Sequence, residues 1–222
     1  MTETTFLQRQ WMTVRRQIWP VVAFAALLWI CEGVDALMPV RWHLDQWGIR
    51  PRDPERLASI AYAPFLHEGF LHLAGNTVPL LVLGWLVLLS GRWLFLGVLI
   101  VTGLSSGLGA WTFGTAGVVH IGASGIVFGM LGFLLARGWV ARRLGWSLIS
   151  LLVALLGYGM VFRGLMPDPH VSWSSHFWGF AGGVGFAWWL YRHQGLPAPL
   201  PGGGGMMKLM RKSKAPSSKV HR

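Results

Sequence analysis

Four side chains stand out in an otherwise apolar chain, because their types and spacing could carry acyl transfer. Ser124 lies in "HIGASGIVFG", between Gly122 and Gly125, at the start of a long hydrophobic run. A serine hydroxyl becomes a nucleophile when a base accepts its proton, and histidine titrates near neutral pH. His176, at the start of a later apolar run, is the obvious base for Ser124. His72 and Asn76 are four residues apart, hence on one face of a helix, and both carry hydrogen-bond donors that could serve a developing oxyanion. Ionisable residues inside membrane spans are costly and mark functional sites.

The elements that must position these groups are membrane spans. The chain has 222 residues, 53% hydrophobic and 12% charged, which is too apolar for an ordinary soluble domain. Apolar runs of about 17–22 residues can cross a bilayer as helices. The pattern predicts six, at roughly 18–38, 66–89, 93–113, 121–137, 147–163 and 175–191, an all-α membrane protein. Pro20 suits a first helical turn and Pro39 ends the first helix. Residues 40–64 form a longer polar loop whose Trp42 and Trp47 suggest an interfacial position. The domains are a cytoplasmic segment 1–17, a six-helix core 18–191 and a flexible basic tail 192–222.

The net charge of +11 could suggest nucleic acid, but most of it lies at the ends and in short loops. That distribution is an orientation signal. With six spans both termini share a side, which holds fourteen of the nineteen Lys and Arg residues, and eight against five without the tail. Both termini are therefore expected in the cytoplasm. The second, fourth and sixth spans then run inward from the external side. They bring His67, His72, Asn76, Ser124 and His176 to a similar depth, within about 15 Å of their helix starts.

The remaining residues set the alternatives. None of the eight acidic residues lies in the fourth or sixth span, so the pattern favours a Ser–His dyad over a triad. Orphan N–H groups at the start of the fourth helix favour negative charge there. Gly122 and Gly125 permit close backbone approach. Gly125 and Gly129, and Gly179 and Gly183, are small-xxx-small pairs that let two helices pack tightly. "HEGFLH" is near the zinc motif HExxH, but its histidines are five apart, about 140° round a helix, and share no face. An intramembrane metalloprotease is a weak alternative on that ground. His120 and His170 are expected in solvated or interfacial loops, and His43, His193 and His221 offer no geometric case. Trp188, Trp189 and Tyr191 read as an interfacial belt. Cys31 is the lone cysteine, so no intramolecular disulfide can form.

Together these residues resemble the rhomboid family of intramembrane serine proteases. The GxSG motif is Gly122-Ala123-Ser124-Gly125, the second-helix pattern is His67, His72 and Asn76, and the sixth-helix pattern is His176, Gly179 and Gly183. The resemblance covers about residues 18–191. It implies a rhomboid-like bundle in which Ser124 is the nucleophile and His176 the base. The Ser124 N–H, His72 and Asn76 would stabilise the oxyanion. It implies that the Phe128 ring packs on His176, where relatives often carry Tyr, while His67 supports the site. The partners implied are transmembrane protein substrates and membrane lipids, with no nucleic acid, cofactor or metal. The location implied is a multi-pass position in the cell (plasma or inner) membrane. A Trp-Arg pair common in the first loop of relatives is absent from "RLASIAYAPFLH". A rhomboid-like protein that binds membrane clients without chemistry is the other reading of the same pattern.

Overall fold

The computed structural model describes residues 3–39, 43–141, 144–165 and 172–194. Six long helices account for most of them: α1 (Glu3–Ala36), α2 (Gly69–Leu88), α3 (Arg92–Phe113), α4 (Ser124–Ala141), α5 (Leu144–Leu165) and α6 (Trp173–Gln194). No β-strand occurs among the described residues; Ile49 and His120 form an isolated antiparallel bridge. His170, Trp42 and the basic tail from residue 195 lie outside the described residues.

Each helix falls on one of the six apolar runs. The boundaries differ where the signal was weak. Helix α1 extends upstream to Glu3, well before the apolar run, because nothing in residues 3–17 breaks a helix. Pro20 is therefore inside α1 and not in its first turn. Helix α2 starts at Gly69, which leaves His67 on the connecting segment ahead of the helix.

Three stretches, Ile18–Ala36, Gly69–Leu88 and Arg92–Phe113, are long and apolar enough to cross a membrane. Ser124–Val140 and Leu144–Leu155 are shorter apolar stretches. Helix α4 is the centre of the bundle. Ile126–Phe128 and Met130–Leu134 are buried on every side of the helix. A helix sheathed by protein can spend positions on glycine and on Arg137, whose buried guanidinium lies 3.9 Å from the Trp146 ring centre and 5.6 Å from that of Phe133.

Helix α4 packs most extensively on α6, and α3 and α5 flank this pair. Glycine makes the approach possible. A Cβ on Gly179 would stand 2.1 Å from the Gly125 carbonyl oxygen, and one on Gly183 would stand 1.9 Å from that of Gly129. The expected glycine pairs thus meet backbone to backbone. In an apolar medium such close packing replaces the hydrophobic effect as the force between helices.

The segment before α2 is not a free loop. It folds into short turns at Leu44–Trp47, Pro54–Arg56 and Ala63–Phe65, with a four-residue helix at Ser59–Tyr62. The Arg52 N–H donates to the Trp111 carbonyl (2.8 Å), and the Trp111 indole donates back to the Asp53 carbonyl (2.9 Å). These bonds pin the segment to the end of α3. Trp47 is half exposed beneath the Arg56 guanidinium.

Candidate active site

Ser124 is the first residue of α4, and the turn ahead of it explains its presentation. Gly122 has φ +105°, which L side chains rarely adopt. A Cβ there would also meet the His72 ring at 3.1 Å. Gly122 is thus required both by its own backbone and by its neighbour. Its N–H donates to the Ala63 carbonyl (3.0 Å), and the Ala123 N–H donates to His67 Nε2 (3.2 Å). The helix then opens at Ser124, where first-turn amides lack intrahelical acceptors and the helix dipole favours negative charge.

His176 lies in the first turn of α6, and the Gly179–Gly125 contact one turn further on holds the two helices together. The result is a His176 Nε2 to Ser124 Oγ distance of 2.7 Å. His176 is buried, and the Phe128 ring stacks on its imidazole with centroids 4.3 Å apart and planes 8° from parallel. A neutral imidazole with its proton on Nδ1 can take the Ser124 hydroxyl hydrogen at Nε2. The stacked ring fixes the plane of that imidazole.

His72 and Asn76 sit on one face of α2, against the same turn. The Glu68 N–H donates to His72 Nδ1 (3.4 Å), so neutral His72 carries its proton on Nε2. That Nε2, like the adjoining Cε1, is 3.1 Å from where a Gly122 Cβ would be. The Asn76 amide nitrogen is 3.7 Å from the same point, buried and without a hydrogen-bond partner. Two side-chain donors therefore converge on the backbone beside Ser124, and the Asn76 donor is unspent. His67 does different work. Fully buried, it accepts from the Ala123 amide and meets His72 edge-on, with ring centroids 5.3 Å apart. Burial, reinforced by His72, pushes its pKa down to about 4, so it remains a neutral acceptor at ordinary pH.

These groups line one end of a cleft of about 1090 Å³ between α2, α4 and α5. Ser124, His176, His72 and Asn76 are at the polar end; Val82, Leu152 and Val153 are among the aliphatic residues that line the rest. Such a cleft suits an extended segment with apolar side chains, with one polar end for chemistry.

His120 was expected in a solvated or interfacial loop, and the structure corrects this. It is buried, and burial lowers its pKa. Its Nδ1 is 2.7 Å from Ser172 Oγ, and Ser172 Oγ donates to Ser175 Oγ (2.7 Å). The Ser172 carbonyl in turn accepts the His176 N–H (3.1 Å). This chain ties the turn before Ser124 to the start of α6. The sequence hint was the spacing: His120 precedes Ser124 by four residues, as Ser172 precedes His176.

Comparison with known proteins agrees with this geometry at the level of family. The family model described as the Rhomboid domain matches residues 54–193. An uncharacterized protein of Mycobacterium bovis is 40% identical over 186 residues, covering 78% of this chain and 76% of its own. A second uncharacterized protein, from Mycobacterium leprae, matches at the same identity over 72% of its length. Rhomboid protease GluP of Bacillus subtilis is 31% identical over 113 residues, covering 48% of this chain and 22% of its own.

Proposed function

The chain belongs to the rhomboid family of membrane proteins, and from that premise we propose that it is an intramembrane serine endopeptidase working through a Ser124–His176 dyad. The observation that carries this reading is the 2.7 Å separation of His176 Nε2 and Ser124 Oγ, with the imidazole held under Phe128. Its substrates are transmembrane proteins, cleaved near the external membrane face.

The chemistry follows from the positions of the atoms. As Ser124 Oγ attacks a peptide carbonyl carbon, its proton passes to His176 Nε2. The carbonyl oxygen becomes an oxyanion. His72 Nε2–H, the Asn76 amide and the Ser124 N–H are its donors, assisted by the start of α4. Collapse of this intermediate breaks the peptide C–N bond, and the imidazolium returns its proton to the leaving amine. Water, deprotonated by the same imidazole, then hydrolyses the acyl-serine ester. His67 acts indirectly: its bond to the Ala123 amide holds the turn that presents Ser124.

The protein is an integral membrane protein, and the proposed arrangement is six spans with both termini in the cytoplasm of a cell that carries it in its plasma or inner membrane. Residues 1–17 form the cytoplasmic segment, 18–191 the protease core and 192–222 a basic cytoplasmic tail. The Lys and Arg asymmetry supports this orientation. On this orientation Ser124 opens an inward-running helix near the external face.

The test is cleavage of a model single-span substrate by the purified full-length protein. Ser124→Ala and His176→Ala each abolish cleavage while the protein still folds. Substantial cleavage by folded Ser124→Ala protein would sink the serine mechanism.

A further inference from the structure

A second cluster of chemically capable residues lies where the end of α1, the turn at Leu44–Trp47 and the start of α2 meet. Glu32 and Asp35 are one turn apart in the last turns of α1 and are nearly fully buried, at 4% and 5% exposure. Carboxylates at a helix C-terminus oppose the helix dipole, and burying them adds a desolvation penalty. An apolar helix that keeps both has to offset those costs. Local hydrogen bonds do so in part. The Gly69 amide donates to Glu32, and the Leu44 amide donates to Asp35 Oδ1. The other Glu32 oxygen, Oε2, is buried without a partner, as is Asp45 Oδ1.

Asp45 belongs to a constellation of possible ligands. Ligating atoms of Asp35, His43 and Asp45 all lie within 4.8 Å of one another. Asp35 Oδ2, the oxygen not engaged by Leu44, is 3.9 Å from His43 Nδ1. Glu32 is within electrostatic range of Asp35 and His43, and Asp45 is within range of Glu32. Two carboxylates thus converge with one imidazole, and Glu32 adds negative charge nearby. Among the described residues no lysine or arginine forms an ion pair with any of them. His43 is about a third exposed, which leaves an entry path for a small ion.

We propose that Asp35, His43 and Asp45 form a binding site for one divalent cation, with Zn²⁺ the best match to the donor set and water as its fourth ligand. Bonds from Zn²⁺ to histidine nitrogen and carboxylate oxygen are about 2.0–2.2 Å, which puts neighbouring tetrahedral ligands about 3.3 Å apart. A contraction of about 1.5 Å at most brings the three atoms there, within reach of rotation of the partly exposed His43. A mixed imidazole and carboxylate set favours Zn²⁺ over Ca²⁺, which takes six or more oxygens. The Leu44 amide on Asp35 supplies an orienting outer contact of the kind that metal carboxylates require. The bound ion would join the end of α1 to the turn at Leu44–Trp47.

This site stands apart from the chemistry of Ser124, and its test reads binding and melting instead of proteolysis. The full-length protein, purified in detergent without a histidine tag and stripped with a chelator, is titrated with Zn²⁺ by calorimetry. The expected result is one ion per chain and a higher melting temperature with Zn²⁺ than without. His43→Ala, at a residue about a third exposed, weakens Zn²⁺ at least tenfold, and Asp45→Asn does the same. No saturable Zn²⁺ binding, or equal affinity in both folded variants, would overturn the site.

Discussion

Replacing Gly179 with alanine separates geometry from chemistry in the proposed dyad. A Cβ at Gly179 would stand 2.1 Å from the Gly125 carbonyl oxygen, whereas ordinary contact begins at 3.4 Å. Both sides of this contact are backbone, so neither can rotate away, and α4 and α6 must part by about 1.3 Å. Ser124 adjoins Gly125, and His176 is one turn from Gly179. The same displacement carries their 2.7 Å contact to about 4 Å, beyond hydrogen-bonding distance. A misplacement of about 1 Å at reacting atoms can lower turnover about 100-fold. Overpacking should also cost roughly 1–3 kcal/mol of stability. Gly185, on the same helix, is the control, because a Cβ there meets nothing within 4 Å. The assay is initial-rate cleavage in proteoliposomes, with thermal unfolding of each variant in detergent. Gly179→Ala loses about two orders of magnitude in kcat while Gly185→Ala keeps wild-type rate and stability. Wild-type turnover by folded Gly179→Ala protein would refute the argument that this contact sets the dyad distance.

Three further outcomes follow from other parts of the site. Asn76→Ala and His72→Ala lower kcat more than they raise KM, by about 2.7–4 kcal/mol each where the oxyanion hole is fully formed; normal turnover in folded variants at both positions rejects the oxyanion role. His67 titrates at about 4 in the folded protein against an ordinary value of 6.5, so between those values the unfolded chain binds a proton that the native state excludes. Stability therefore falls as pH drops from 6.5 towards 4, by up to roughly 3 kcal/mol from this residue, and a melting-temperature profile of His67→Gln should be flatter than wild type. In the membrane, a cysteine placed in the 138–146 segment on a Cys31→Ser background stays unlabelled by an impermeant reagent added outside cells; external labelling refutes the proposed orientation.

The parts of this molecule legible in sequence were those with a local physical signal. Apolar runs located α3 to within a residue and α6 to within three, because hydropathy changes sharply at Arg92 and at Arg192. The glycine pairs were legible as spacing, and their partners followed because both pairs have the same period. The start of α1 was not legible, since helix geometry continues through polar residues where the apolar signal stops. Pro20 was misread for the same reason: it marks the edge of the apolar run, not of the helix. His120 escaped because burial of a loop residue depends on partners far off in sequence, Ile49 and Ser172. The acidic corner escaped too. Only the turn after α1 brings His43 and Asp45 back beside Asp35, and no short spacing encodes that return. Ser124 and His176, by contrast, are 52 residues apart and still legible, because each opens an apolar run at the same depth.

The most direct test of the central reading is labelling of the purified full-length protein by a serine-directed phosphonate, with the modified residue located by mass spectrometry. The dyad predicts one phosphonylated residue, Ser124, with labelling lost in His176→Ala protein that retains its fold. Unlabelled wild-type protein, or label on a different serine, would contradict it.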